Sequence, residues 1–101
     1  MPEPHVIRLR APWESSAQET RCVLRRHFHS PTGLTPQSRV VLVLSDLLGA
    51  QVTLNDQPLS ALSEGRFEVT SLLQSRNLLV IELESPGVPQ EPNVWLEISE
   101  S

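Results

Sequence analysis

Residues 39–55, RVVLVLSDLLGAQVTLN, constrain the fold more than any other stretch of this 101-residue chain. Residues 40–44 are five apolar side chains in a row, three of them valine. Five residues are too few for a stable helix and β-branched side chains favour extended backbone, so the run reads as a strand buried on both faces. Residues 46–49 turn the chain. Residues 51–55 then alternate polar and apolar, with Val52 and Leu54 facing inward. Asn55 and Asp56 both tolerate positive φ and predict a tight turn directly afterwards. The stretch is therefore expected to form a β-hairpin with one buried arm.

The rest of the chain is cut into short pieces. Nine prolines and four glycines fall outside every apolar-patterned segment, as turns that delimit short strands do. Residues 5–10 place Ile7 and Leu9 on one face and Arg8 and Arg10 on the other, which predicts an edge strand. Trp13 follows in a loop, and residues 14–19 are polar. Residues 20–29 predict a second strand with Cys22, Leu24, Arg26 and Phe28 on one face and Val23, Arg25, His27 and His29 on the other. A loop over residues 30–37 leads to the central stretch. Beyond it come a short return at 57–59, a loop at 60–65, a brief strand at 67–69 and one capped helical turn at 70–74. Residues 77–84 predict the other central strand, residues 86–92 a loop, and residues 93–99 a last strand. In that strand Val94, Leu96 and Ile98 point inward, with Trp95, Glu97 and Ser99 outward. About seven or eight short strands with turn signals between them predict an all-β fold, an antiparallel β-sandwich of seven to eight strands or a barrel.

Length and composition fit one domain spanning residues 1–101. A chain of this size buries about 65% of its unfolded surface, enough for a single core. Cys22 is the one cysteine, so no internal disulfide forms and packing alone must hold the fold. The first residues lack the apolar run of a signal peptide, and no run has the length of a membrane span, which predicts a cytoplasmic location without a membrane partner. The net charge is −4 and all eight basic residues are arginine, six of them among the first 40 residues. An acidic chain with only four aromatic residues is a poor nucleic-acid binder, so these arginines are expected to pair with Glu82, Glu84 and Glu97 on neighbouring strands.

Three motifs in order carry a resemblance. Residues 24–28 (Leu-Arg-Arg-His-Phe), followed by a proline-containing loop, are similar to the Tyr-Arg-Arg-x-Phe strand in the sugar-binding domains of β-galactosidases and β-glucuronidases, the family 2 glycoside hydrolases. Residues 39–56 resemble the apolar strand of those domains and the strand after it, which ends in Asn-Gly where this chain has Asn55-Asp56. Phe67-Glu68-Val69-Thr70, Leu72 and Asn77–Ile81 resemble their Phe-x-(Asp)-Val-Thr…Leu…Asn-x-Leu-x-Val signature. The resemblance covers about residues 20–84 and implies a galactose-binding-like jelly roll. Thr70 and Ser71 are then expected to cap the helical turn, and Asn77 to close it into the next strand. The same comparison shows departures. The loops at 57–66 and 85–92 are short beside the family's, and the family's catalytic barrel has no counterpart here.

The candidate ligand residues are Trp13, Trp95, His27, His29 and Arg25. An exposed indole is a common platform for stacking a sugar ring. Against that stands the plainer role of both tryptophans as lids on the core. His27 and His29, two apart on a strand, place both rings on one side, a spacing that two metal ligands use. No third ligand is fixed nearby, so no metal is expected, and no cofactor motif is present. Arg26, on the apolar face, is expected to be buried against a carboxylate, Glu68 or Glu82. Cys22 points inward with no histidine at a usable offset, and Glu82 and Glu84 are expected to meet arginines rather than act as acid and base. A non-enzymatic module follows. Its expected role is protein interaction or self-association through a sheet face or edge. Binding of carbohydrate, weak at best, is the alternative.

Overall fold

The computed structural model describes residues 5–10, 13–17, 20–45, 49–63, 65–84 and 92–100. Two five-stranded antiparallel sheets pack face to face, an antiparallel β-sandwich as expected. The first sheet runs in the order β1 (His5–Arg8), β10 (Val94–Glu100), β4 (Ser38–Leu44), β8 (Arg66–Glu68), β7 (Ala61–Ser63). The second runs β2 (Glu14–Ala17), β3 (Cys22–His29), β9 (Arg76–Leu83), β5 (Gln51–Leu54), β6 (Gln57–Pro58). A 3-10 turn at Thr70–Leu72 joins β8 to β9. Among the described residues no helix is long and apolar enough to cross a membrane.

The core is the set of inward residues that strand alternation dictates. Val40, Leu42 and Leu44 of β4 meet Leu96 and Val94 of β10 within the first sheet, and Leu24, Leu54, Leu79 and Ile81 close the second sheet over them. All six core residues expected from the sequence (Leu42, Leu44, Val52, Leu54, Ile81 and Leu83) are buried in this one cluster. β4 and β9 are the central strands of their sheets, and β1 lies at an edge, as the sequence implied.

The expected central hairpin does not form. β4 belongs to the first sheet, whereas β5 pairs with β9 in the second, so the two strands lie in different sheets. The apolar faces of β4 and β5 bury against each other across the core instead of side by side. The turn expected at 46–49 lies largely outside the described residues. The tight turn after β5 is real: Asn55 and Asp56 have φ of 52° and 67° and join β5 to β6 in a two-residue hairpin.

Among the described residues ten strands form rather than seven or eight. The two pieces read as polar segment and loop, β2 and β7, are exposed at every residue and sit at sheet edges. Their neighbours' hydrogen bonds make them strands, and no inward face marks them in the sequence. Gly65, with φ of +75°, begins the return along β8, and a Cβ there would lie 2.5 Å from the Leu44 carbonyl oxygen. Only glycine permits both the conformation and the approach.

The turn before β9 departs from its expected capping. The 3-10 turn has no side-chain cap. Thr70 instead reaches back to β4: its Oγ1 accepts from the Val40 amide at 2.8 Å and lies 2.7 Å from Glu68 Oε2, to which it donates. Asn77 closes the turn as expected, accepting from the Gln74 amide at 2.8 Å and donating to the Gln74 carbonyl at 2.9 Å.

Candidate functional site

The two outer faces of the sandwich carry the candidate residues, and they differ in kind. On the first sheet, Trp95 and Glu97 are two apart on β10 and so point to the same side. The Trp95 indole N–H donates to Glu97 Oε2 at 3.0 Å. Arg66, from β8, donates to the same carboxylate through Nη2 at 2.8 Å and Nη1 at 3.4 Å. From β1, Arg8 places its guanidinium carbon 5.6 Å from the centre of the indole, within cation–π range. Beside this cluster Arg39 pairs with Glu68 at 2.8 Å.

This covering explains how residues 40–44 are buried on both faces. Val41 and Val43 point away from the core yet are each 6% exposed. In register, Val43 lies between Trp95 and Arg66, and Val41 between Glu97 and Glu68. The ion pairs and the indole roof the two valines. The cluster thus covers the middle of the first sheet's outer face, while Val6, in register with Glu97 on edge strand β1, stays 44% exposed.

The hydrogen bonds from Arg66 and then Trp95 hold the Glu97 carboxyl below its ordinary value of 4.5, against a smaller opposing effect of burial. A depressed folded-state value stabilises the fold above the unfolded value, and that contribution is lost as pH falls through the folded value. Glu97→Gln is expected to cost about 1 kcal/mol at neutral pH, since the pair is partly solvent-screened. The gap between the two proteins should close as pH falls from about 5 to about 3. Urea midpoints at several pH values test this, and a gap equally wide at both ends would refute it.

On the second sheet, Arg25, His27 and His29 stand exposed along β3, opposite Val80, Leu78 and Arg76 of β9. Glu14 of β2 lies in register with Arg25. Glu14, Arg25, Arg26 and His27 line a concavity of about 300 Å³. Among the described residues no carboxylate pairs with Arg25 or Arg76; the ion pairs are Arg21–Glu82 at 3.7 Å, Arg39–Glu68 and Arg66–Glu97. Of the acids expected to meet the early arginines, Glu82 does so through Arg21, while Glu97 is taken by Arg66. No group of three His, Cys, Asp or Glu converges among the described residues. Burial pushes the Cys22 thiol up, away from a reactive thiolate.

Arg26 departs from its expectation. It is half-buried and pairs with no carboxylate among the described residues: Nε donates to the Arg10 carbonyl at 2.6 Å and Nη1 to the His27 carbonyl. Glu68 lies in the other sheet, and Glu82 is near the far end of β9 from Leu79, the register partner of Arg26. The long side chain instead satisfies backbone carbonyls beside it.

The five candidate ligand residues therefore do not share a site. Trp95 faces out from the first sheet, whereas Arg25, His27 and His29 face out from the second. Trp13 packs against the core and donates its indole N–H to the Leu9 carbonyl at 3.0 Å. A larger concavity, about 410 Å³, lies elsewhere, where β5 and β6 of one sheet approach β8 and β7 of the other. Gln51, Thr53, Leu59, Ala61 and Phe67 are among its lining, and among the described residues no charged side chain is. Sequence reasoning missed Arg8, Arg66 and Glu14. The Trp95–Glu97 parity was a usable signal, but Arg66 and Arg8 reach it only through the β4–β8 and β1–β10 registers.

No protein-family model matches the sequence, and no curated protein is similar to it in sequence. Among solved structures, the FMN-binding beta-glucuronidase from Facaelibacterium prausnitzii L2-6 matches 97% of this chain, with a TM-score of 0.72 and 19% identity. This chain spans 23% of that protein's length, so the likeness is one of fold between this sandwich and a small part of a glycosidase.

Proposed function

We propose that this chain is a non-catalytic β-sandwich module that docks a protein partner through the outer face of its second sheet. The contrast between the two outer faces carries the reading. The middle of the first sheet's outer face is covered by its own ion pairs over Val41 and Val43, which leaves Val6 exposed at the edge. Among the described residues the second sheet leaves Arg25 and Arg76 without a paired carboxylate, around the half-buried Leu78 and Val80. A sheet edge is the weaker alternative: β1 and β2 have four residues each, β7 three, and β6 two, one of them Pro58. Edges this short offer little backbone for an added strand. A cytoplasmic setting, where Cys22 remains a thiol, belongs to the same reading.

Carbohydrate binding is the second reading, favoured by the fold likeness to part of a beta-glucuronidase and by the concavity at Glu14, Arg25, Arg26 and His27. Charged side chains of this kind hydrogen-bond sugar hydroxyls, yet no free aromatic platform stands beside them. Titration with a panel of mono- and oligosaccharides, followed by amide NMR shifts, is expected to give dissociation constants of about 1 mM or weaker, near −4 kcal/mol. Saturable micromolar binding, abolished by Arg25→Ala or Trp95→Ala in a folded protein, would overturn the docking reading in favour of the sugar one.

A further inference from the structure

We infer that the concavity at Glu14, Arg25, Arg26 and His27 is a carboxylate site, into which the docked partner places an Asp or Glu side chain. The inference rests on the docking reading above for the source of that carboxylate, while the site stands on its own geometry. Its ground is a guanidinium held in place with its charge left unmatched. Arg26 is half-buried, and two backbone carbonyls fix it: Nε donates to that of Arg10 at 2.6 Å and Nη1 to that of His27. A carbonyl accepts a hydrogen bond but carries no net charge, so the positive charge stays whole. Nη2 has no hydrogen-bond partner among the described residues. Arg25 and His27 stand exposed on either side of Arg26 in the strand, and Arg25 pairs with no carboxylate among the described residues. β2 begins at Glu14, in register with Arg25, so β3 runs on past Arg25 with no described strand on that side. The four lining residues sit at that step.

Charge decides what fits. Two arginines and one glutamate give the described lining one net positive charge, histidine left aside. One carboxylate balances it. A doubly charged phosphate would overshoot it beside Glu14, and a neutral hydroxyl would leave it unmatched. A guanidinium presents its N–H groups in the fork that carboxylate oxygens accept, and Arg26, already fixed, gives up little freedom on binding. The position also suits docking. Arg25 and His27 lie in register with Val80 and Leu78 of β9, both half-buried. A side chain seated at the arginines therefore brings the segment that carries it over these two apolar residues. Glu14, the one acid of the described lining, opposes the incoming carboxylate, so removing its charge should strengthen binding.

Backbone amide shifts of the full chain, followed by NMR at about 0.15 M salt, read the site. The blocked tripeptide acetyl-Ala-Glu-Ala-amide is expected to shift the Arg25, Arg26 and His27 amides saturably, with a dissociation constant of about 1–10 mM. Its Gln counterpart, alike in shape but uncharged, should bind about tenfold more weakly. Arg25→Gln should weaken the Glu peptide about fivefold or more. Glu14→Gln should tighten it about threefold, whereas Glu84→Gln, the same charge change just past the far end of β9, should leave it within about 1.5-fold. All three residues are exposed, so far-UV circular dichroism should confirm that each variant is folded. Equal binding of the two peptides, or equal gains from Glu14→Gln and Glu84→Gln, overturns the site. Inorganic phosphate binding about tenfold tighter than acetate overturns the match to a single charge. Acetate binding as tightly as the Glu peptide overturns a partner's side chain as the source, in favour of a small free carboxylate. No shift up to about 50 mM peptide overturns the carboxylate site alone, since the docking reading is decided separately by the sugar titration.

Discussion

Replacing Asn77 by alanine is expected to lower the stability of this protein by about 3–5 kcal/mol, which would remove about 15 °C or more from its thermal midpoint. The side chain is fully buried, at 0% exposure. Its Oδ1 accepts from the Gln74 amide at 2.8 Å and from Asn55 Nδ2 at 2.9 Å. Its Nδ2 donates to the Gln74 carbonyl at 2.9 Å and to the Phe28 carbonyl at 3.3 Å. Alanine would leave these groups short of a partner where water does not reach them, and a buried donor or acceptor left unmade costs about 1–3 kcal/mol. Asn55 is bound into the same network, donating to the Leu72 carbonyl at 3.1 Å and accepting from the Leu78 amide at 2.9 Å. Asn77 therefore ties three separate places together: the end of β3, the turn before β9 and the β5–β6 hairpin. Asn77→Asp is expected to be no milder, because it keeps the acceptor, loses the donors and buries a charge. Urea unfolding with an unchanged slope checks both variants. A loss below about 1 kcal/mol would mean that water had entered to replace the amide.

Leu54→Ala is expected to cost about 3–4 kcal/mol by the loss of buried methyl groups and the cavity left behind. Leu54 is 1% exposed and lies opposite Leu79, itself 0% exposed, in the β5–β9 pair. The four residues of β5 give it little backbone on which to relax into the gap. Leu62→Ala, at a residue 53% exposed on edge strand β7, is the matched comparison and should change stability by less than about 0.5 kcal/mol. A similar loss for the two leucines would place Leu54 outside the core. Because Leu54 adjoins Asn55, the double variant Leu54→Ala/Asn77→Ala is expected to lose less than the two single effects added together.

The amino-acid sequence by itself determined the all-β class, the inward and outward residues of β3, β9 and β10, and the turn at Asn55–Asp56. Each is a local property. Strand alternation is set by the two-residue period of extended backbone, and a tight turn by the φ that two adjacent residues accept. The closing role of Asn77 was legible for the same reason, since its partner Gln74 is three residues away. Only the tertiary structure decided that β4 and β5 lie in different sheets. The inner faces of β4 and β5 bury equally well beside each other or across a core, and nothing local separates the two. Only the tertiary structure made strands of residues 14–17 and 61–63, whose side chains are all exposed and whose extended backbone is held by neighbouring strands. The candidate residues divide along the same line. Parity along β10 sufficed to set Trp95 beside Glu97. It took the register of three further strands to bring Arg8 and Arg66 onto them, and the pairing of β3 with β9 to gather Arg76 with His29 at one end of a face. Contacts within a strand follow from spacing in the chain. Contacts between strands follow from which hydrophobic faces find each other, a choice that only the packed core makes.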